Sequence, residues 1–302
     1  MTKVAGSPVL FDRSLLRQRR LRAQRGEPVT FLLNHVAADL IERLSVVKRS
    51  FAIAADIGTP TSALRNLMRE QNLAEMIIGV DALFPASPNP STIAADEEAL
   101  PFADASLDLA VSALALQWVN DLPGTLAQIR RALKPDGLFL AALLGGETLT
   151  ELRQSFAAAE AEIEGGVSPR VAPFADMRDI GALLQRAGFA LPVADIDRLI
   201  VRYDTPFGLM QDLRGMGATN VLLERRRTPL KRATLQRMAQ IYAERFSDPD
   251  GRLRTTFDIV WLSGWAPHES QQQPLRPGSA RTRLADALKT TEFPAGEKSG
   301  SR

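Results

Sequence analysis

Four short stretches in the first half of the chain carry residues able to hold a polar small molecule. The first is Asp56-Ile57-Gly58-Thr59-Pro60-Thr61-Ser62. Glycine in such a loop lets the backbone turn tightly and approach a ligand, and an acid at its head can meet a cationic amino group. Only Gly58 has that residue type here. Pro60 removes an N–H and fixes φ, so the loop taken alone reads as a plain structural turn. The second is Asp81, which can accept hydrogen bonds from ribose hydroxyls or cap a turn. The third runs from Asp96-Glu97 through Leu100, Phe102 and Asp108. Asp96 can accept from an adenine amino group while the Glu97 backbone grips the ring edge. Leu100 and Phe102 offer apolar support or simple core packing, and Asp108 reads as a turn residue. The fourth runs from Ser112 to Leu122. There Gln117 can hydrogen-bond a substrate, and Trp118 can wall a pocket or sit in the core.

These stretches need a scaffold that brings them to one edge. FAIAAD (51–56), EMIIGVD (75–81) and STIAAD (91–96) are apolar runs ending in an acid; LDLAVSAL (107–114) and LFLAALL (138–144) follow. Such runs read as parallel strands buried on both faces. TSALRNLMRE (61–70), with Thr61 or Ser62 as N-cap, and DLPGTLAQIRRAL (121–133) read as helices. KPDG (134–137) reads as a type I turn. Alternation from 51 to 144 predicts a doubly wound α/β sheet, where ligands bind at the carboxyl ends of strands near the reversal of strand order. Asp56, Asp81, Asp96 and Ser112 fall on that rim.

Residues 28–47 have the apolar spacing of a helix in front of the sheet. Helices are expected at 147–163, 174–187 (with Gly188 as C-cap), 206–216 and 231–246. Extended segments at 189–203 and 257–267 would add an antiparallel hairpin at the sheet edge. The expected organisation is a basic helical extension (1–50), a cofactor-binding core (51–146), a C-terminal part that completes the sheet and carries a helical substrate or partner region (147–270), and a flexible tail (271–302) rich in Pro, Gly, Ser and charge.

The formal net charge of +2 is too small to indicate nucleic-acid binding through bulk electrostatics. The absence of cysteine excludes disulfides, thiolate nucleophiles and zinc–thiolate or iron–sulfur ligation, and is compatible with a reducing cytoplasm. With His35 and His268 as the only histidines, no His-rich metal site is expected and a Ser-His-Asp triad is disfavoured. No apolar run approaches the ~20 residues that cross a bilayer. Arg13, Arg17, Arg19, Arg20, Arg22 and Arg25 share a stretch whose sole acid is Asp12. Composition reads this as a solvated basic helix, with a mitochondrial presequence as the alternative.

In order, Asp96-Glu97-Glu98-Ala99-Leu100-Pro101-Phe102, Asp108-Leu109-Ala110-Val111-Ser112, Gln117-Trp118, Asp121-Leu122 and Leu133-Lys134-Pro135-Asp136-Gly137 resemble the class I S-adenosylmethionine-dependent methyltransferases. The branch containing the malonyl carrier-protein methyltransferases of biotin synthesis is similar. A closer resemblance, to the methyltransferase-like assembly factors of respiratory complex I (the arginine-hydroxylase group), covers nearly the whole chain. It is carried by Leu10-Phe11-Asp12-Arg13 and the Arg-rich stretch after it, Gly145-Gly146-Glu147-Thr148-Leu149, Pro173-Phe174, Arg186-Ala187-Gly188-Phe189, Asp212-Leu213-Arg214-Gly215-Met216-Gly217, and Trp265 with His268-Glu269-Ser270-Gln271.

This resemblance implies a Rossmann-like seven-stranded sheet and an Arg-rich start that belongs to the mature fold. It implies S-adenosylmethionine held by Asp56, Gly58, Asp81, Asp96, Glu97 and Ser112, with Gln117 and Trp118 facing a substrate. Methyl transfer would be an in-line displacement at the sulfonium methyl, with the protein mainly positioning the reactants; arginine hydroxylation is the other activity implied. A protein partner, a complex I subunit, is expected near the membrane but without a transmembrane segment, in the cytoplasm or, in a eukaryote, the mitochondrial matrix. The chain departs from the pattern acid-x-Gly-x-Gly-x-Gly, with Pro60 and Ser62 at the second and third glycines, and has Gln117 where a His precedes the Trp. Two alternatives follow: a non-catalytic assembly factor that has lost cofactor binding, and a small-molecule carboxyl methyltransferase of the biotin type.

Overall fold

The apolar run at 51–57 is flanked by strands on both sides, and this explains why it tolerates almost no polar residue. It forms β1 (Phe51–Ile57), paired in parallel with β2 (Ala74–Asp81) on one side and β4 (Leu107–Ala113) on the other. β3 (Thr92–Ala94) closes the sheet beyond β2, and β5 (Leu133–Leu144) lies beside β4. β7 (Leu253–Trp265) inserts antiparallel between β5 and β6 (Ala190–Tyr203). The order is β3-β2-β1-β4-β5-β7-β6, a seven-stranded mixed α/β sheet with helices on both faces. Strand order reverses between β1 and β4, so their carboxyl ends open the crevice expected to take a ligand.

The computed structural model describes residues 9–83, 91–272, 279 and 282–291. Helices α1 (Arg13–Arg25), α2 (Phe31–Ser45) and α3 (Ala63–Glu70) surround the first strands. They are followed by α4 (Leu122–Ala132), α5 (Thr150–Glu164), α6 (Met177–Arg186), α7 (Pro206–Gly215) and α8 (Arg232–Phe246). Strand alternation divides β1 between two cores. Ala54 joins Leu40, Leu64 and Met68 on the face covered by α2 and α3, whereas Ala55 and Ile57 join Leu126, Ile129, Ile180 and Leu184 under α4 and α6. A smaller cluster of Phe11, Leu16, Trp118, Ala172, Val221 and Leu222 fastens the N-terminal segment.

Four local expectations need correction. The 134–137 turn does not interrupt the strand: β5 begins at Leu133 and carries these residues as an irregularity, with Asp136 at φ +63° and a register shift opposite Leu107 and Leu109. β3 ends two residues early because the Asp96 side chain accepts from the Glu98 N–H and turns the chain. β7 begins four residues early, at Leu253, because Arg254, Thr255 and Thr256 pair with β6 despite their polarity. The basic helix is not free in solvent: Leu16 and Arg20 of α1 are buried.

Glu269–Arg302 forms a separate unit. It contains a short helix, α9 (Leu284–Leu288), in a stretch expected to be a flexible tail. The rest of that expectation falls mostly outside the described residues. No described helix is long and apolar enough to cross a membrane.

Candidate functional site

Asp56 shares a face of β1 with Ala54, so alternation aims it at α3 rather than into the crevice. It is wholly buried, and its Oδ2 accepts from Arg65 Nη1 at 2.7 Å. Its other oxygen accepts from the Thr59 hydroxyl, whose oxygen accepts in turn from the Ala113 N–H at 3.0 Å. Burial pushes the Asp56 carboxyl up to about 6, outweighing the Arg65 charge and the Thr59 hydrogen bond. The Asp56–Arg65 pair braces the loop from behind.

The crevice in front of the loop is filled by the chain itself. Gly58 adopts φ +72°, and a Cβ placed on it would stand 2.5 Å from Glu97 Oε1 and 2.7 Å from Glu97 Cγ. The glycine face suited to close ligand approach is therefore covered by the Glu97 side chain, itself buried. Over it lies α1. Arg13 Nη2 donates to Asp96 Oδ1 at 2.8 Å and also to Glu97, and Arg17 donates to the second Asp96 oxygen. Arg20 Nη1 lies 3.8 Å from Glu97 Oε1. Spacings of four and three residues put the three arginines on one helix face. Burial lowers the Arg20 pKa, against the opposing pull of Glu97 and Asp81. Burial likewise raises that of Asp81, whose carboxylate accepts from the Leu83 N–H at 2.8 Å and feels Arg20.

The N-terminal segment is tied down at its start. Asn120 Oδ1 accepts from the Leu10 and Phe11 N–H groups at 2.8 and 2.7 Å. Asp12 donates its N–H to Val221 O at 2.8 Å and caps α1 by accepting from the Leu15 N–H. Phe11 packs edge-on against Trp118, centroids 5.6 Å apart, and Trp118 packs edge-on against Phe174. Between α1 and the sheet a cavity of about 80 Å³ remains, lined among others by Arg20, Pro60, Thr61, Gln117 and Trp118. Beyond Trp118 is a second, of about 170 Å³, lined by residues that include Phe156, Arg170, Phe174 and Leu213.

The methyltransferase domain model matches residues 55–141, the β1–β5 part of this arrangement. The similarity to curated proteins reaches much further. The chain is 38% identical over 290 residues to the mitochondrial arginine-hydroxylase NDUFAF5 of Danio rerio, covering 93% of this chain and 90% of that protein. It is 39% identical over 301 residues to the human protein of that name, covering 96% and 87%. The chain belongs to this methyltransferase-fold family. A malonyl-[acyl-carrier protein] O-methyltransferase of Gallionella capsiferriformans is more distant, at 34% identity over 277 residues, covering 85% and 92%. Among solved structures, the YcgJ protein of Bacillus subtilis superposes with a TM-score of 0.50 at 14% identity, covering 76% of this chain and 98% of that one, a likeness of fold.

In this family member, Gly58, Asp81, Asp96 and Glu97 do meet at one place. Asp56 and Ser112 do not join them. Asp56 faces Arg65, and the buried Ser112 hydroxyl donates to Ile57 O at 2.7 Å, so in this conformation both hold β1 and its loop in place. Gln117 lines the smaller cavity and donates through Nε2 to Leu114 O, leaving its Oε1 without a hydrogen-bond partner. Trp118 is both core and wall, buried and lining both cavities. Leu100 and Phe102 pack on the core, and Asp108 accepts from the Ile53 N–H and from Lys134.

Sequence reasoning missed Arg65 and the α1 arginines. Their signals were present: Arg65 stands at the start of a helix following an inward-facing acid, and Arg13, Arg17 and Arg20 recur at helical spacing. In this conformation the crevice does not accommodate S-adenosylmethionine. Glu97 covers Gly58, arginines occupy Asp96 and Glu97, and the cavity left is far smaller than the ~300–1,000 Å³ usual for small-molecule pockets.

Proposed function

We propose that this chain is an enzyme that uses S-adenosylmethionine and modifies a protein partner during assembly of respiratory complex I. The reach of the similarity to the arginine-hydroxylases carries this reading. The human protein aligns with 96% of the chain, leaving out about a dozen residues, too few to omit α1 or the C-terminal half. The relationship thus includes the segments around the crevice as well as the cofactor core. Gly58, Asp81, Asp96 and Glu97 are the cofactor contacts this reading assigns, and Gln117 and Trp118 the substrate-facing ones. The partner would be a complex I subunit, met beside the membrane in the cytoplasm or, in a eukaryote, in the mitochondrial matrix. The malonyl methyltransferases rank behind because both identity and coverage of this chain are lower.

A second reading, a non-catalytic assembly factor, is favoured by one observation: the acids assigned to the cofactor already have cationic partners within the chain. Two measurements test the readings, and the first separates them. Calorimetric titration with S-adenosylmethionine is expected to show saturable binding; no heat at ~1 mM ligand would reject the cofactor-dependent enzyme. Deleting the gene in its host is expected to lower assembled complex I, and unchanged complex I would reject both readings.

A further inference from the structure

The crevice at the carboxyl ends of β1–β3 concentrates acid. Asp81, Asp96 and Glu97 converge there, Glu97 is 2% exposed, and burial already raises the Asp81 pKa. Carboxylates in such a place need cations, because an uncompensated buried charge is strongly destabilising. The chain supplies them from one element, through Arg13, Arg17 and Arg20 on a single face of α1. Arg13 also holds Glu97 in the position that covers Gly58.

α1 is lightly built in. Only Leu16 and Arg20 of its thirteen residues are buried, and outside the acid contacts it is held by Arg13 donating to Trp118 O and Arg19 to Asn220 O. It carries no acid in its first turn, and the linker that follows, Gly26-Glu27-Pro28, is exposed. One backbone seat is Gly217, just past α7, where φ is +68° and a Cβ would lie 2.9 Å from Arg20 Cα. That glycine is the one residue type that satisfies both the left-handed backbone and the close approach of the helix.

We infer that α1 and S-adenosylmethionine are alternative occupants of one crevice: the arginine face of α1 is a displaceable plug, and the cofactor enters when α1 lifts and releases Glu97 from Gly58. The inference rests on the cofactor assignment above. The chemistry is matched in its hydrogen-bond donors, which S-adenosylmethionine shares with S-adenosylhomocysteine, and the acids freed of guanidinium groups are left to accept them. The cofactor's adenine amino group and ribose hydroxyls donate where Arg13 and Arg17 now donate. The tie at Leu10–Asp12 remains outside the crevice and lets α1 reseat.

The test uses the full chain and S-adenosylhomocysteine, which cannot transfer a methyl group, so that binding and not turnover is read. Calorimetry on wild type and on the double variant Arg13→Ala/Arg17→Ala is expected to show at least ~10-fold tighter binding by the variant, the effect of removing a competing charged contact. Gly217→Ala unseats α1 without altering charge and is expected to shift affinity in the same direction. Amide exchange of residues 13–25 in wild type is expected to accelerate when S-adenosylhomocysteine is added. Far-UV circular dichroism shows whether each variant folds; if Gly217→Ala does not, the double variant and the exchange experiment decide. Equal, measurable affinities with α1 protection unchanged by ligand would overturn the plug while leaving the cofactor assignment intact. No binding by any of the three proteins at ~1 mM would overturn both.

Discussion

At the carboxyl ends of β1–β3, Asp96 and Glu97 are neutralised by guanidinium groups from one short helix. In the C-terminal half, buried carboxylates are satisfied by groups woven into the sheet and its loops. Glu151 accepts from the Thr256 N–H and hydroxyl of β7 at 3.0 and 2.5 Å. Asp258 of β7 takes Arg198 of neighbouring β6 in a two-point contact at 2.7 and 3.0 Å. Glu160 accepts from the Ser168 N–H at 2.7 Å and from Arg170 Nε at 2.7 Å. Both regions satisfy carboxylates with donors from elsewhere in the chain. They differ in how the partner is attached: β6 and β7 are joined by a twelve-pair ladder, whereas α1 buries only Leu16 and Arg20. On the plug proposal, a buried acid marks a ligand site only where its cation is free to go.

The comparison is sharpest at Asp56, which lies beside the crevice yet belongs with the woven-in group. Replacing its partner, Arg65→Met, leaves a wholly buried carboxylate uncompensated and is expected to cost about 3–5 kcal/mol in urea unfolding at pH 8. The loss should shrink toward pH 5. The folded-state pKa of Asp56 is raised, so its contribution is most favourable below 3.8 and is lost as pH rises through about 6. Glu160→Gln should cost less, about 1–3 kcal/mol, because the amide keeps one acceptor for Ser168. Arg17→Ala is expected to cost under ~1 kcal/mol, since its side chain is 41% exposed. If Arg17→Ala destabilised the fold as much as Arg65→Met, the distinction between a removable and a built-in cation would collapse.

Sequence pattern revealed one side of this comparison better than the other. Apolar runs, three of them ending in acids, located all five strands of the first half, because central parallel strands buried on both faces, such as β1 and β4, leave no alternative use for such runs. Asp96-Glu97 and the residues after it marked the crevice for the same reason: its position follows from strand order. The interior of the loop was harder to read. Asp56 stands where a ligand contact was expected, but side-chain alternation turns it toward α3, where Arg65 waits nine residues later. α1 was read as solvated because composition counts its arginines and not their partners, and those partners are 77–84 residues away. The β7 start was missed because Thr255 and Thr256 are polar, although Thr256 is satisfied by Glu151 from another element.

The smallest expected effect concerns pH and sets Glu164 against Asp56. At the end of α5, Glu164 accepts from the Thr234 hydroxyl at 2.7 Å and pairs with Lys231 at 2.9 Å and Arg226 at 3.1 Å, joining α5 to the start of α8. The Thr234 and Lys231 hydrogen bonds, with Arg226, hold its carboxyl down at about 2, against an ordinary value of 4.5. A folded pKa below the unfolded one stabilises above pH 4.5 and is lost as pH falls toward 2, the opposite slope to that of Asp56. Thermal melts of wild type and Glu164→Gln should therefore differ by a constant amount above about pH 5 and converge as the pH falls below 4.5. Convergence would show that the α5–α8 tie is electrostatic and always engaged in the fold. A gap that persisted undiminished near pH 2 would mean that the glutamine loses shape and packing instead, and would remove Glu164 from the set of built-in ion pairs.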